Sequence, residues 1–386
     1  MLTIAVDATP IRQRPSGIGL YALNLIRALE RLQAQENFQL SLVYQPSFKH
    51  WLKRNWRLPE VLDLGIDTHL LPLPVTLTTL LAKAPNNPLL SYLDRYLGQP
   101  DILQGTDHYV YPCCQAWKVM TIHDLTFLKY PQFVSSIVHT YGDRIRTCLR
   151  WTDQIITVSN STKADIVECL DVSPERIFVT PLASRYAGYT LSPETQQSLK
   201  ATINFDFSIP YLLFVSTLEP RKNVEGFIAA FNYLKQKHGI EHQLVLIGQK
   251  GWKYKAIFAA MEQSPWQHQI HHLDYLSDEL VALFYTQAEV FVYPSYYEGF
   301  GLPILEAMTL GAPVVASPRS SLPEVAGDAA LFADPDDPVE LADAILSLIQ
   351  DPQRRQSLIQ QGKAQAQRFS WERTAQETLK AYRAMS

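Results

Sequence analysis

Short apolar runs rich in β-branched residues alternate with helix-patterned segments along almost the whole chain, and the alternation occurs in two series. "LTIAVDA" (2–8) reads as a strand. In the following "GIGLYALNLIRALERL", Ile18, Ala22, Leu25, Leu29 and Leu32 recur at three or four residues and mark one face of a helix. Further strands are expected at "FQLSLVY", "DILQGT", "KVMTIHDL", "QIITVS" and "RIFVTPLA". Between them, "NSTKADIVECL" reads as a helix opening on polar caps at Asn160 and Ser161. From Ala183 to Pro210 the pattern lapses. A second series then runs through "YLLFVST", "HQLVLIG", "QIHHLDYL", "EVFVYPS", "PVVAS" and "AALFAD", and the chain closes on helical segments at about 338–350, 352–368 and 370–385. Repeated β-α-β order demands a parallel sheet covered by helices on both faces.

The expected fold is therefore α/β, with two doubly wound, Rossmann-like domains. A chain of 386 residues is long for one domain and ample for two. Residues 1–185 would form the first, 186–210 a linker with a short helix, and 211–369 the second, with 370–386 packing back on the first. Ligands of such folds bind outside the carboxyl ends of the strands, here expected in a central cleft faced by both domains. A net charge of −4 gives no footing for nonspecific nucleic-acid binding. The first residues lack the basic-then-apolar design of a signal peptide, and no apolar run reaches the roughly 20 residues of a membrane span. Cys113, Cys114, Cys148 and Cys169 form no CxxC pair, so neither a disulfide framework nor a zinc site is expected. These features suit a cytoplasmic protein with reduced thiols.

Two stretches carry candidate chemistry. In "STLEPRKN" (216–223), Arg221 and Lys222 fall at the exit of the second series' first strand, with Asn223 placed to cap the next helix. Adjacent cations beside free helix N–H groups suit a diphosphate. In "PSYYEGFGLPILEAM" (294–308), Glu298 and Glu306 flank a glycine-bearing turn between strand and helix. Pro303 suits the first helical position and Glu306 the first turn. Gly299 and Gly301 let backbone approach a ligand closely. Paired carboxylates could hydrolyse a glycoside, hold a metal or accept from the hydroxyls of a sugar; an ionised carboxylate can take both hydroxyls of a vicinal diol.

"EGFGLPILE" resembles the E-x7-E motif of the retaining family 4 glycosyltransferases (glycosyl transferases group 1), which have the GT-B fold. "STLEPRKN" is similar to that family's phosphate-binding segment, and "VSNSTKADIVECLDVSPERIFVTPLA" and "GAPVVASPRSSLPEVAGDAALFADPDDPVELADAI" extend the likeness over most of the chain. The resemblance implies that Arg221 and Lys222 bind the donor diphosphate. Glu298 would take donor-sugar hydroxyls, helped by backbone N–H groups of Phe300, Gly301 and Leu302, and Glu306 would hold the ribose. In "TIHDL", His123 would lie beside the donor sugar. In "PSGIGLY", Gly17 and Gly19 would form a loop facing the diphosphate and the acceptor, and backbone near Tyr275 and Leu276 would read the base. The wording of "TIHDL" and "SGIGLY" looks most like mannosyltransferases of polysaccharide assembly, so GDP-mannose leads as donor, with UDP-glucose and other nucleotide sugars open. The acceptor would be a saccharide or lipid-linked saccharide.

Rival functions have weaker footing. A glycoside hydrolase has no use for a phosphate cradle. A dinucleotide-dependent dehydrogenase needs G-x-G-x-x-G after its first strand, which "DATPIRQRPSGIGLY" does not supply. A sugar-nucleotide epimerase on the same fold remains open. Asp334 and Asp336 in "ADPDDP" form a D-x-D pair that elsewhere holds a divalent cation, but turn formation and helix capping account for them, so no metal or other cofactor is expected. Lys49, Lys53, Arg54 and Arg57 alternate with Trp51 and Trp56 in "SFKHWLKRNWRLPE" (47–60). That mixture suits either peripheral contact with the inner face of a membrane or a solvated helix burying one tryptophan.

Overall fold

The computed structural model describes residues 1–13, 17–53, 59–60, 63–81, 91–92, 94–113, 115–134 and 136–385. The chain divides into two compact units. The first comprises Met1–Pro131, Ser136–Leu182 and Trp371–Ser386, and the second Gln132–Ser135 and Ala183–Ser370. Each is built on one parallel sheet.

The sheet of the first unit contains β1 (Leu2–Asp7), β2 (Phe38–Tyr44), β3 (Thr68–Leu70), β4 (Ile102–Gly105), β5 (Trp117–Ile122), β6 (Gln154–Thr157) and β7 (Ile177–Val179), in the order β3-β2-β1-β4-β5-β6-β7. Ile4, Ala5 and Val6 are fully buried, as a central strand covered on both faces requires. β3 was not expected. It is a three-residue edge strand, "THL", of intermediate burial, with no apolar run to announce it. The helix Asn160–Leu170 is capped by Ser159, whose side chain accepts from the Thr162 amide, and not by Asn160 or Ser161. The final helix, Trp371–Arg383, belongs to this unit. It buries Ala375, Leu379, Ala381 and Tyr382, donates from Thr374 Oγ1 to the Pro181 carbonyl (2.6 Å), and its Tyr382 hydroxyl donates to Gln104 Oε1.

The second sheet contains β8 (Tyr211–Val215), β9 (Gln243–Ile247), β10 (Ile270–Leu273), β11 (Val290–Tyr293), β12 (Val314–Ala316) and β13 (Ala330–Phe332), in the order β10-β9-β8-β11-β12-β13. Phe227, Phe231, Phe284, Tyr285, Phe291 and Tyr293 are wholly buried beneath or between its helices. Each such side chain contributes about 1.5–3 kcal/mol through the water it leaves. Residues 186–210 carry aromatic side chains that join this core: Tyr186 is buried in it, and Tyr189, Phe205 and Phe207 pack against it. Their short helix is Pro193–Ala201.

In both sheets the chain builds outward on one side and then crosses back to the other. The reversal falls between β1 and β4 in the first unit and between β8 and β11 in the second. The crossover connections diverge there, which leaves a crevice at the carboxyl edge of each sheet.

Candidate active site

Arg221 and Lys222 leave β8, and Glu298 leaves β11, so all three stand at the reversal point of the second sheet. Pro220–Lys222 forms one 3-10 turn, closed by Asn223 in the left-handed conformation (φ 54°). Asn223 then caps the helix Val224–His238, its side chain accepting from the Gly226 amide at 3.2 Å and donating to the Pro335 carbonyl at 2.7 Å. The turn's geometry therefore fixes where both cations emerge.

Glu298 holds the two cations together. Its Oε1 accepts from Lys222 Nζ at 2.6 Å and from Ser295 Oγ at 2.6 Å, and its Oε2 accepts from Arg221 Nη1 at 2.9 Å. Arg221 also donates through Nε and Nη2 to Glu219 Oε1 (3.1 and 2.8 Å) and through Nη1 to the Tyr297 carbonyl (2.6 Å). Lys222 reaches the Tyr293 hydroxyl at 2.8 Å. Glu219, Lys222 and Glu298 are buried, so the cluster is two cations and two carboxylates in mutual balance away from water. Burial alone would raise the Glu298 carboxyl. The Arg221 and Lys222 charges, with the hydrogen bonds from Lys222 and Ser295, overcome that and hold it at about 2. Burial and the Arg221 cation pull Lys222 below its ordinary value, against Glu298 and Glu219. The ionised pair is the state that these contacts favour. Neither Glu219 nor Ser295 was marked in the sequence, since nothing local distinguishes them from other turn residues.

The turn after Glu298 is held by serines from the next loop. Ser320 Oγ accepts from the Glu298 amide at 2.8 Å, and Ser321 Oγ lies 2.9 and 2.8 Å from the carbonyls of Glu298 and Phe300. Gly301 takes φ 105°, which favours glycine, and a Cβ there would also push on Leu322 Cδ2 at 2.7 Å. Gly299 is not among the glycines with positive φ. The helix runs Leu302–Leu310, which makes Leu302 its first residue and Pro303 its second, one place later than expected. Glu306 consequently sits in the second turn, on the buried side, and not in the first. It is therefore no simple complement to the helix dipole. Its carboxylate meets Arg185, with Nε at 3.0 Å and Nη2 at 3.3 Å, and Arg185 Nη1 reaches Asp278 Oδ1 at 2.9 Å. Burial raises the Glu306 carboxyl and Arg185 opposes the rise. Arg185 lies in the stretch where the sequence pattern lapses, so no motif pointed to it.

Tyr275 and Leu276 follow β10 at the same edge of the sheet, with Tyr275 exposed and Ser277 capping the helix Asp278–Gln287. Asp334 and Asp336 both accept from Arg319 Nη2, at 2.8 and 2.6 Å, and the capping role belongs to Asp337, one residue beyond the D-x-D pair. Among the described residues, no three His, Cys, Asp or Glu side chains are grouped to hold a metal ion.

In the first unit, the reversal point lies beside His123, at the exit of β5, and Thr106, at the exit of β4. His123 Nε2 is 2.9 Å from the Thr106 carbonyl, which can only accept, so Nε2 carries the proton and Nδ1 of the neutral ring is an acceptor. Burial lowers the His123 pKa, with the Thr106 contact opposing. Tyr21 packs edge-on against His123 with ring centroids 4.7 Å apart. "SGIGLY" and "TIHDL" thus meet through a tyrosine that the sequence did not single out. Gly17 (φ 50°) caps the helix Ile18–Glu36, and Gly19 lies within its first turn, not in a loop. His108 is a further unmarked neighbour, buried and edge-on to His123 at 5.6 Å.

In the 47–60 segment, Phe48–Leu52 is a single short helix with Phe48 and Leu52 exposed, and Trp51 Nε1 donates to the Pro72 carbonyl at 2.8 Å. Arg54, Trp56 and Arg57 lie outside the described residues, as does Cys114. No described helix is long and apolar enough to cross a membrane.

The fold recurs in solved structures. Sucrose-phosphate synthase from Thermosynechococcus elongatus superimposes with a TM-score of 0.76 at 21% identity, over 100% of this chain and 99% of that one. The Anabaena protein HepE, in complex with UDP and glucose, does so at 0.72 and 17% identity over the whole of both chains. The family described as Glycosyltransferase Family 4 matches residues 15–183, and Glycosyl transferases group 1 matches residues 196–365. The chain belongs to this glycosyltransferase family. It is 32% identical over 397 residues to O-antigen chain mannosyltransferase B of Escherichia coli, covering 99% of this chain and 100% of that protein. It is also 31% identical over 237 residues to the MMP alpha-(1->4)-mannosyltransferase of Mycolicibacterium hassiacum, covering 60% of this chain and 54% of that one.

The charge cluster has a consequence for acid stability. The folded Glu298 carboxyl, at about 2, lies below its ordinary 4.5, so its stabilisation is present above pH 4.5 and is lost as pH falls toward 2. The shift corresponds to on the order of 3 kcal/mol. Glu306, shifted upward, acts only above pH 4.5 and in the opposite sense. Glu298→Gln mimics the protonated form. Denaturant unfolding of both proteins should show the wild type more stable at pH 7 and the gap closing below pH 4.5. A gap independent of pH would mean that Glu298 is not ionised by this cluster.

Proposed function

We propose that the protein transfers a sugar from a nucleotide-sugar donor to an acceptor hydroxyl with retention of anomeric configuration and without a metal ion. The observation that carries this reading is the convergence of Arg221, Lys222 and Glu298 at the reversal point of the second sheet. GDP-mannose is the leading donor, supported by the mannosyltransferase relatives, and the acceptor would be a growing polysaccharide or lipid-linked saccharide.

In this reading Arg221 and Lys222 stabilise the negative charge that develops on the departing diphosphate, a task a metal ion performs elsewhere. Glu298 keeps both cations charged and aimed before the donor arrives, and faces the sugar hydroxyls. His123, neutral and with Nδ1 accepting, takes a hydrogen bond from the donor sugar. The acceptor oxygen attacks the anomeric carbon on the face from which phosphate leaves. The carbon–phosphate-oxygen bond breaks as the new glycosidic bond forms, and the hydroxyl proton passes to the departing phosphate. The test is incubation with GDP-mannose and UDP-glucose, with and without a mannose-containing acceptor, in excess chelator. An α-linked donor should give an α-linked product by its anomeric proton coupling. A β product, loss of activity on chelation, or interconversion of donor sugar without acceptor would each refute the corresponding part.

The site roles separate by substitution. Arg221→Ala or Lys222→Ala should weaken nucleoside-diphosphate binding by on the order of 2–5 kcal/mol in calorimetry. Glu298→Gln should impair transfer more than free nucleoside-diphosphate binding, whereas Glu306→Gln should weaken that binding itself. Equal loss of nucleotide affinity in the two glutamate variants would contradict the assignment.

A lipid-linked acceptor would be met at a membrane surface. The exposed Phe48 and Leu52 beside Lys49 and Lys53 support reversible attachment to anionic lipid. Flotation with anionic but not neutral liposomes at low salt is expected; no flotation with either would favour a soluble acceptor.

A further inference from the structure

We propose that Arg185 is a positioning residue for the nucleotide: it orients the Glu306 carboxylate so that the two oxygens present paired acceptor sites to a vicinal diol, and thereby sets the preference for a ribonucleotide. The proposal rests on the reading that Glu306 holds the ribose, and adds to it a residue outside the matched motif.

The Arg185 guanidinium faces the Glu306 carboxylate along one edge. Arg185 Nη2 donates to Glu306 Oε2 at 3.3 Å, while Nε lies 3.0 Å from Oε1 as a charge contact that is out of line for a hydrogen bond. The third point of the guanidinium, Nη1, meets Asp278 Oδ1 at 2.9 Å, at the start of the helix Asp278–Gln287. Arg185 thus ties the helix that carries Glu306 to the neighbouring helix. Its guanidinium lies 5.0 Å from the centroid of the Tyr186 ring, and the Tyr186 hydroxyl donates to the Asp278 carbonyl at 3.0 Å, which fixes the same corner again. A planar guanidinium hydrogen-bonded to Asp278 at one end and to Glu306 at the other leaves its partner carboxylate little freedom to rotate.

The count of acceptor sites gives this a function. A carboxylate offers about four lone-pair sites, two on each oxygen. Arg185 hydrogen-bonds to Oε2 and sets its charge against Oε1, which leaves acceptor sites on both oxygens, as adjacent hydroxyls require. The Glu306 side chain is only 8% exposed, and Arg185, at 26%, is the cation that meets it. Burial pushes the Glu306 carboxyl toward its protonated form, and Arg185 is the main opposing charge, with Asp278 acting the other way. A protonated carboxyl would turn one acceptor into a donor and spoil the match. A lysine at 185 would supply charge without the planar guanidinium that reaches Glu306 and Asp278 at once.

Calorimetry on the full-length protein tests this with GDP and UDP, each against its 2′,3′-dideoxy analogue, and with inorganic pyrophosphate. The wild type should prefer the ribose form of the nucleotide it binds by about tenfold or more, as expected for paired hydrogen bonds to a charged group. Arg185→Gln and Glu306→Gln should both reduce that ratio to near one, and Arg185→Lys should fall between, while pyrophosphate affinity stays unchanged in all of them. If the wild type shows no ribose preference with either nucleotide, the ribose reading of Glu306 falls and this proposal with it. A wild-type preference that Arg185→Gln and Arg185→Lys both retain would overturn the role of Arg185 and leave Glu306 in place. Loss of pyrophosphate binding in the Arg185 variants would show an effect on the unit as a whole, and would equally overturn it.

Discussion

Parallel strands cannot be joined by a tight turn, so each strand in either sheet is joined to the next by a crossover that carries the chain back to the same starting edge. All the loops that leave strands at their carboxyl ends are therefore gathered along one edge of each sheet. Where the strand order reverses, neighbouring crossovers run to opposite sides and the loops part. Arg221 and Glu298 are 77 residues apart in sequence yet lie within one hydrogen bond, because β8 and β11 are neighbours across that reversal. His123 and Tyr21 meet for the same reason in the first unit, one leaving a strand and the other on the helix that follows β1. The chemistry of this glycosyltransferase depends on that constraint before it depends on any side chain.

Charge is the second organising term. Two cations brought to a buried position would repel each other and resist losing their water. Glu298 and Glu219 offset both costs, and the serines and the left-handed Asn223 fix the backbone from which the charges project. A diphosphate entering such a cluster would meet cations already oriented and desolvated, so little reorganisation would remain for the reaction itself. Glu306 and Arg185 follow the same rule at a second point, a buried carboxylate kept usable by one well-seated guanidinium.

The regular part of this organisation was legible along the chain. Apolar runs such as "YLLFVST" and "HQLVLIG" can only be buried strands, and helix stripes between them leave only a parallel sheet. Asn223 was readable as a cap because a short polar side chain before an apolar helix stripe has few other uses. Errors fell where local signals are weak. β3 has no apolar run, Ser159 and Asn160 are equally good caps on paper, and a helix start uncertain by one residue moved Glu306 from the second turn to the first. Asp334 does form the expected turn, its Oδ1 accepting from the Asp336 amide, but the cap is Asp337, and both aspartates also meet Arg319, one loop away in space and 15 residues or more away in sequence.

By itself, then, the sequence determined the two series of parallel strands, the positions of the strand exits, and through its motifs the residues that stand there, because burial periodicity and turn chemistry are local properties. Tertiary structure alone decided who meets whom. That Glu298 bridges both cations, that Arg185 grips Glu306, that Tyr382 returns from the chain's end to Gln104, and that residues 186–210 lend aromatic side chains to the second core are outcomes of strand order and crossover path. Those contacts join residues dozens to hundreds of positions apart, and no window of sequence contains both partners.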